Sequence, residues 1–318
     1  MEKTRYITVE NLDTLYMLFG NLDEHAKLIE ERFHVKMTSR DSQIVISGLD
    51  SGVAMTEDLL SVLIRRIASG DVIDKQALQY AMSLVKDYKS EAVLDLADGA
   101  VCMTSKGRLI KAKTLGQSEY VKAMETHEVV FGVGPAGTGK TFLAVAMAIR
   151  AFKNKEVERI VITRPAIEAG ESLGFLPGDL QQKIDPYLRP LYDALYEILG
   201  MESYLKFKER GLIEVVPLAY MRGRTLDNAF IILDEAQNTT KAQMKMFLTR
   251  FGFGSRVVVN GDMTQVDLAS NKESGLVHAL KVLKNVKEIS LHEFSGKDVV
   301  RHDLVKKIIS AYDVVENS

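Results

Sequence analysis

Residues 134–141 read Gly-Pro-Ala-Gly-Thr-Gly-Lys-Thr. They lie between an apolar run, Val129-Val-Phe-Gly-Val133, and a stretch with helical periodicity from Phe142 to about Phe152. The octet matches Gly-x4-Gly-Lys-[Ser/Thr], and its setting between strand and helix gives the match meaning. Gly134, Gly137 and Gly139 allow a tight turn and let the backbone approach an anion with no Cβ in the way. Around Pro135, Ala136 and Thr138 the N–H groups can then converge as a nest for phosphate oxygens. The helix opening near Lys140 adds the positive end of its dipole. On this reading Lys140 reaches the β- and γ-phosphates of a nucleoside triphosphate, and the Thr141 hydroxyl is a ligand to Mg²⁺. ATP with Mg²⁺ is the expected occupant.

About 100 residues on, Phe230-Ile-Ile-Leu-Asp234-Glu235-Ala-Gln is an apolar strand ending in two acids. A buried strand delivers Asp234 to the carboxyl edge of a sheet, where ligands bind in open α/β folds. Asp234 is the expected metal partner, and Glu235 is positioned to orient and activate an attacking water. A further strand, Arg256-Val-Val-Val-Asn260, runs into Gly261-Asp262-Met-Thr-Gln265, which brings Gln265 to the same edge as a reader of the γ-phosphate. Upstream, Gln117 in Leu115-Gly-Gln117-Ser-Glu-Tyr120 can read the donor and acceptor pattern of adenine, with Tyr120 packed nearby. Lys140, Glu235 and Gln265 are thus the candidate catalytic groups, and Thr141 and Asp234 the candidate metal ligands.

From Val129 onward, candidate strands near 128–133, 158–163, 213–217, 229–234, 255–260 and 286–292 alternate with helical patterns, the signature of an α/β domain with a largely parallel sheet. The helix from about Pro186 to Leu199 places Leu188, Leu191, Leu195 and Leu199 on one core-facing stripe. The first 70 residues are different. A strand at 3–9, a helix capped by Asn11, a second helix over about 22–33, strands at 34–39 and 43–47 and a helix over about 54–67 give the order β-α-α-β-β-α. Asp74 then caps a helix to about Lys86, and residues 99–113 read as a hairpin made basic by Lys106, Arg108, Lys111 and Lys113. That basic strip is either a solvated strand face or a nucleic-acid contact. The organisation read from the chain is residues 1–70 as a small α+β domain, 71–105 as a helical linker and hairpin, and 106–318 as the nucleotide-binding domain.

Bulk numbers bound the rest. A hydrophobic share of 46% supplies a sizeable core, and a net charge of −2 argues against a general polyanion binder. The single cysteine, Cys102, rules out an internal disulfide and reads as a small buried hydrophobe in a reducing cytosol. The start of the chain lacks the apolar core of a signal peptide, and no apolar run approaches the ~20 residues that span a bilayer, so a cytoplasmic protein is expected. The six histidines show no zinc-ligand spacing, and His292 and His302 read as structural or surface residues.

Gln117, the 134–141 octet, Ile162-Thr-Arg-Pro165, Asp234-Glu-Ala-Gln237 and Gly261-Asp-x-x-Gln265 together resemble the nucleotide-binding core of superfamily 1 helicases. The N-terminal element order resembles a KH-type RNA-binding domain. Its Gly-x-x-Gly position, however, reads Gly20-Asn21-Leu22-Asp23, with an acid in place of the second glycine, and residues 1–70 carry 8 Lys/Arg against 11 Asp/Glu. Both features favour a scaffold or protein-interaction role over an RNA grip. With the stretches Thr163–Gly178 and Met221-Arg-Gly-Arg-Thr-Leu226, the whole chain is similar to the PhoH-like proteins. That resemblance implies a P-loop, RecA-like ATPase coupled to RNA metabolism, in contact with single-stranded RNA and an endoribonuclease partner. Its alternative is an ATP-switched adaptor that hydrolyses slowly and recruits a protein. The loop 164–178, with glycines at 170, 174 and 178, is the expected nucleic-acid contact. About 50 residues follow Gln265, too few for the second RecA-like domain that supplies arginines in true helicases. A homo-oligomer with Arg222, Arg224 or Arg301 acting in trans is therefore expected.

Overall fold

The computed structural model describes residues 2–40, 42–87, 99–165, 180–268, 273–301, 304–305, 308–309 and 311–312, with the backbone alone for 180–184. Two compact units form. One comprises residues 1–99 and 113–115, the other 100–112 and 116–318.

In the first unit, β1 (Glu2–Thr8), α1 (Leu12–Phe19), α2 (Glu24–Phe33), β2 (Val35–Arg40), β3 (Gln43–Leu49), α3 (Asp50–Ala68) and α4 (Lys75–Lys86) follow in order. The antiparallel sheet runs β1-β3-β2. Strand alternation drives Ile44 and Ile46 fully inside, where they meet Leu59, Leu60 and Leu63 from the apolar stripe of α3. Two caps read from sequence are made: Asn11 Oδ1 accepts from Thr14 N at 2.8 Å, and Asp74 Oδ1 from Ala77 N at 2.7 Å. Each such cap stabilises its helix by about 1 kcal/mol. The α1–α2 joint turns through Gly20 at φ +75°, Leu22 at +52° and Asp23 at +60°. Leu22 is left 83% exposed.

The second unit opens with a hairpin, β4 (Ala100–Met103) and β5 (Leu109–Lys111), followed by α5 (Leu115–Thr126), β6 (Val129–Val133), α6 (Lys140–Lys153), β7 (Arg159–Arg164), α7 (Leu180–Leu199) and α8 (Met201–Glu209). It continues with β8 (Ile213–Pro217), β9 (Ala229–Leu233), α9 (Lys241–Leu248), β10 (Arg256–Gly261), α10 (Gly275–Leu283) and β11 (Ile289–Glu293). Six strands form one parallel sheet in the order β11-β6-β10-β9-β7-β8. Period-2 alternation splits its side chains between two cores. Val130, Ile160, Ile162, Phe230, Ile232 and Val258 face α5–α8, whereas Phe131, Val161, Ile231, Leu233 and Val259 face α9 and α10. Burial on both faces is why β9 reads as a continuous apolar run. α7 begins at Leu180, upstream of the expected Pro186, and buries the expected leucines 188, 191, 195 and 199.

Parallel strands share one carboxyl edge, which gathers the ends of β6, β7, β9 and β10 although about 130 residues of sequence separate the first from the last. No helix among the described residues is long and apolar enough to cross a membrane.

Candidate functional site

At this edge the 134–141 loop leaves β6 and closes on the N-terminus of α6. Gly137 and Gly139 adopt φ +85° and +79°, so only glycine sits there without strain. The loop carbonyls are all engaged. Gly134 O and Pro135 O accept from Lys140 Nζ at 2.7 and 2.9 Å, and Ala136 O accepts from Arg301 at 2.5 Å. Gly137 O accepts from Val300 N at 2.9 Å and Thr138 O from Gln117 Nε2 at 3.0 Å. Five consecutive carbonyls pinned to protein donors leave the N–H groups as the unspent side of the loop. Those of residues 137–139 take no partner among the described residues. Unspent N–H groups at a helix N-terminus are what an anion-binding nest requires.

Opposite the loop stand the acids. The Thr141 hydroxyl donates to Asp234 Oδ1 at 2.7 Å, tying the start of α6 to the end of β9. Glu235 is held in left-handed backbone at φ +53°, a conformation costing on the order of 1 kcal/mol for a non-glycine residue and found where a side chain must be aimed. Its carboxylate is gripped from both sides, by Arg164 at 2.5 Å and by Gln237 Nε2 at 2.6 Å. Arg164 also approaches Asp234 at 3.8 Å and donates to Tyr187 O at 2.5 Å, so it links both acids to α7. Gln237 is fully buried; it donates to Gln265 O and accepts from Asp262 N, joining the ends of β9 and β10. Asp262 in turn accepts from Ala136 N at 3.0 Å.

These groups line a cavity of about 290 Å³ bounded by Ala136, Gly139, Lys140, Thr141, Asp234, Glu235, Asp262 and Gln265, among others. That volume is at the small end of ligand pockets, about 300–1,000 Å³, and suits a polyphosphate tail with the rest of the ligand outside. The charges of the lining call for a cation beside such a tail. Among the described residues lining the cavity, Lys140 is the sole cation against three carboxylates. Burial pushes the Asp234 carboxyl above the ordinary range, against the pull of Arg164. Burial likewise pushes the Lys140 ammonium down, with Asp262, Asp234 and Glu235 opposing the shift. A buried acid beside a hydroxyl is a hard oxygen donor set that suits Mg²⁺.

The structure therefore brings Ala136, Gly137, Gly139, Lys140, Thr141, Asp234, Glu235 and Gln265 together at one cavity, whereas Gly134, Pro135 and Thr138 belong to the loop but not to the lining. Gln117 lies behind the loop, 5% exposed, bracing the Thr138 carbonyl. Tyr120 is a core residue. It is fully buried under β6, where Gly132 has no room for a Cβ, and its hydroxyl donates to Asn260 at 2.6 Å. His292 stacks on it, a structural role. Of the arginines, Arg224 is paired with Glu214 at 2.8 Å, Arg222 is exposed, and Arg301 rests on its own chain's loop. In the basic hairpin Arg108 pairs with Glu197, which favours the solvated-face reading there. Cys102 is half-buried against the core. Residues 166–179 and His302, named above, lie outside the described residues. Sequence reasoning did not assign Arg164, Gln237 or Asp262 to the site. Each sits in a quoted motif, but its task depends on which strand ends adjoin.

The family described as PhoH-like protein matches residues 109–313, the span that holds the parallel sheet and the cavity. A PhoH-like protein of Bacillus subtilis (strain 168) is 50% identical over 305 residues, 96% of each chain. Protein PhoH of Escherichia coli (strain K12) is 47% identical over 205 residues, 64% of this chain and 58% of that one. Among solved structures, a Sulfolobus solfataricus SWI2/SNF2 ATPase core in complex with dsDNA aligns at 16% identity over 46% of this chain and 31% of that one. Its TM-score of 0.31 is too low to bear on this chain. With a family match that covers the parallel sheet and identity of this extent across nearly its whole length, the chain belongs to the PhoH-like protein family.

Proposed function

We propose that the cavity binds ATP with Mg²⁺ and hydrolyses it. The observation that carries this reading is the Thr141–Asp234 hydrogen bond of 2.7 Å, which sets a hydroxyl at the mouth of the phosphate loop against a buried acid from a neighbouring strand. Lys140 and the N–H groups of residues 137–139 hold the β- and γ-phosphates. Thr141 and Asp234 hold the metal, which supplies charge neutralisation at the phosphates. Glu235 accepts a proton from water as its oxygen attacks the γ-phosphorus, and the bond to the β–γ bridging oxygen breaks, leaving ADP and phosphate. Gln265 contacts the γ-phosphate, and Gln117 fixes the loop from behind while its amide adjoins the base side. Steady-state phosphate release tests this: Lys140→Ala removes nucleotide binding, and Glu235→Gln keeps binding but loses turnover. Nucleotide binding that survives Lys140→Ala would contradict the assignment.

Turnover serves RNA handling in the cytoplasm, with the compact unit of residues 1–99 and 113–115, rather than residues 1–70 alone, as a separate module, and an endoribonuclease as a protein partner. Subunits assemble as a homo-oligomer, in which exposed Arg222 is available to a neighbour. A second reading, an ATP-switched adaptor with slow hydrolysis, is favoured by one observation: both oxygens of Glu235 are held by Arg164 and Gln237, which weakens it as a base until those contacts shift. ATPase rates with and without single-stranded RNA separate the two. Strong stimulation supports RNA coupling, and indifference supports the adaptor.

A further inference from the structure

Beyond β11 the chain does not leave the site; it turns back across the phosphate loop. Phe294 N donates to Val133 O at 2.7 Å, and a Cβ on Gly134 would lie 2.6 Å from Phe294 Cβ and 2.7 Å from its carbonyl oxygen. A capping box formed by Ser295 and buried Asp298 shapes the next turn, and Asp298 also accepts from Gly116 N at 3.1 Å, next to the Gln117 that braces Thr138. Val300 N then reaches Gly137 O, and Arg301 reaches Ala136 O. The Arg301 Nε lies 2.7 Å from where a Cβ on Gly137 would be, so the absence of that Cβ admits the guanidinium against the loop. Residues 294–301 are thus a strap seated on the loop at Gly134, Ala136 and Gly137, and the last two line the cavity.

Resting on the ATPase reading, we propose that Arg301 acts in cis, as the second cation for the phosphates bound by its own chain. The cavity lining sets one lysine against three carboxylates, and a triphosphate adds further negative charge. Lys140 and the metal meet part of the charge that develops on the γ-phosphate during transfer, and an arginine adds the further counter-charge that speeds the step. A guanidinium carries five N–H donors in a planar fork, so one side chain can hold the Ala136 carbonyl and contact an anion at the loop together. The seating also gives it a fixed approach, because the Asp298 cap and the Val300–Gly137 hydrogen bond fix the backbone that leads into Arg301. The inference makes a neighbouring subunit unnecessary as the source of this arginine, whatever the oligomeric state.

Three full-length variants and one mixing experiment test it. Arg301→Gln keeps an N–H donor for the Ala136 carbonyl but carries no charge, Arg301→Lys keeps the charge, and Arg301→Ala keeps neither. Arg301→Gln and Arg301→Ala should both lose at least about 10²-fold in kcat. Arg301→Lys should retain more activity than either. Wild-type turnover in Arg301→Gln would show that Arg301 only pins the loop and would overturn the proposal. In the mixing experiment, Arg301→Ala is combined with Lys140→Ala. A cis arginine gives no recovery, since neither chain holds a complete site. Recovery of activity on mixing would mean that the Lys140→Ala chain lends its Arg301 to a neighbour, which also overturns it. A wild-type chain that neither binds nor hydrolyses ATP would instead sink the ATPase reading, which separates the two failures.

Discussion

Two loops in this chain turn on glycines and left-handed residues, at 20–23 and at 134–141, and they make opposite use of the turn. In the phosphate loop, Gly134, Gly137 and Gly139 carry the positive φ values, the carbonyls from 134 to 138 are all taken by protein donors, and a lysine and three acids line the cavity beside the N–H groups. In the N-terminal joint only Gly20 is a glycine. Leu22 and Asp23 are forced into left-handed backbone, and what the turn presents to solvent is an exposed leucine beside an acid. Glycines alone do not leave a turn's amides unspent; its carbonyls must also be held elsewhere, as those of residues 134–138 are. Local sequence shows the glycines; the partners that hold the carbonyls come from up to 165 residues away, as the contact of Arg301 with Ala136 does.

The comparison can be broken at several points. Lys140→Ala should have the largest effect: nucleotide binding falls below detection by fluorescent-nucleotide titration, with the fold intact by circular dichroism. Gly134→Ala should come next. Its added Cβ has to share space with Phe294 backbone, at a φ of +154° that suits glycine, so the second unit should lose about 2–4 kcal/mol, read as a lower denaturant midpoint, with turnover falling alongside. Gly20→Ala meets the His25 ring at 2.7 Å at φ +75° and should cost about 1–2 kcal/mol in the first unit while leaving ATP turnover within twofold. Asp23→Gly should be the smallest change. Asp23 makes no side-chain cap to α2 and sits at φ +60°, so glycine should be neutral or stabilise by up to about 1 kcal/mol. The same change restores the second glycine and removes an acid, so affinity for single-stranded RNA should rise if that loop is limited by its chemistry. Unchanged affinity would assign residues 1–70 to protein contacts.

Much of this was legible in the sequence because it rests on local pattern. The run Phe230-Ile-Ile-Leu233 announces a strand buried on both faces, and the acids at its end follow from parallel geometry. The Asn11 and Asp74 caps follow from short-range hydrogen bonding. What was not legible depends on strand order. Gln237 joins β9 to β10 and Arg164 reaches Asp234 and Glu235 only because β7, β9 and β10 are adjacent, and spacing along the chain does not encode adjacency. The surroundings of Tyr120 were not legible for the same reason. Its neighbours Gly132, Asn260 and His292 come from three different strands, and together they make a core position of a residue that local sequence sets beside Gln117.

The account turns on Glu235 as the group that takes the proton from water while Lys140 and the loop hold the phosphates. A single-turnover experiment with Glu235→Gln, loaded with ATP and Mg²⁺ and followed by phosphate release, tests this most directly. Retained ATP affinity with release slowed by about 10²–10⁴-fold is the predicted result. Release at the wild-type rate would contradict it and move the chemistry to another group.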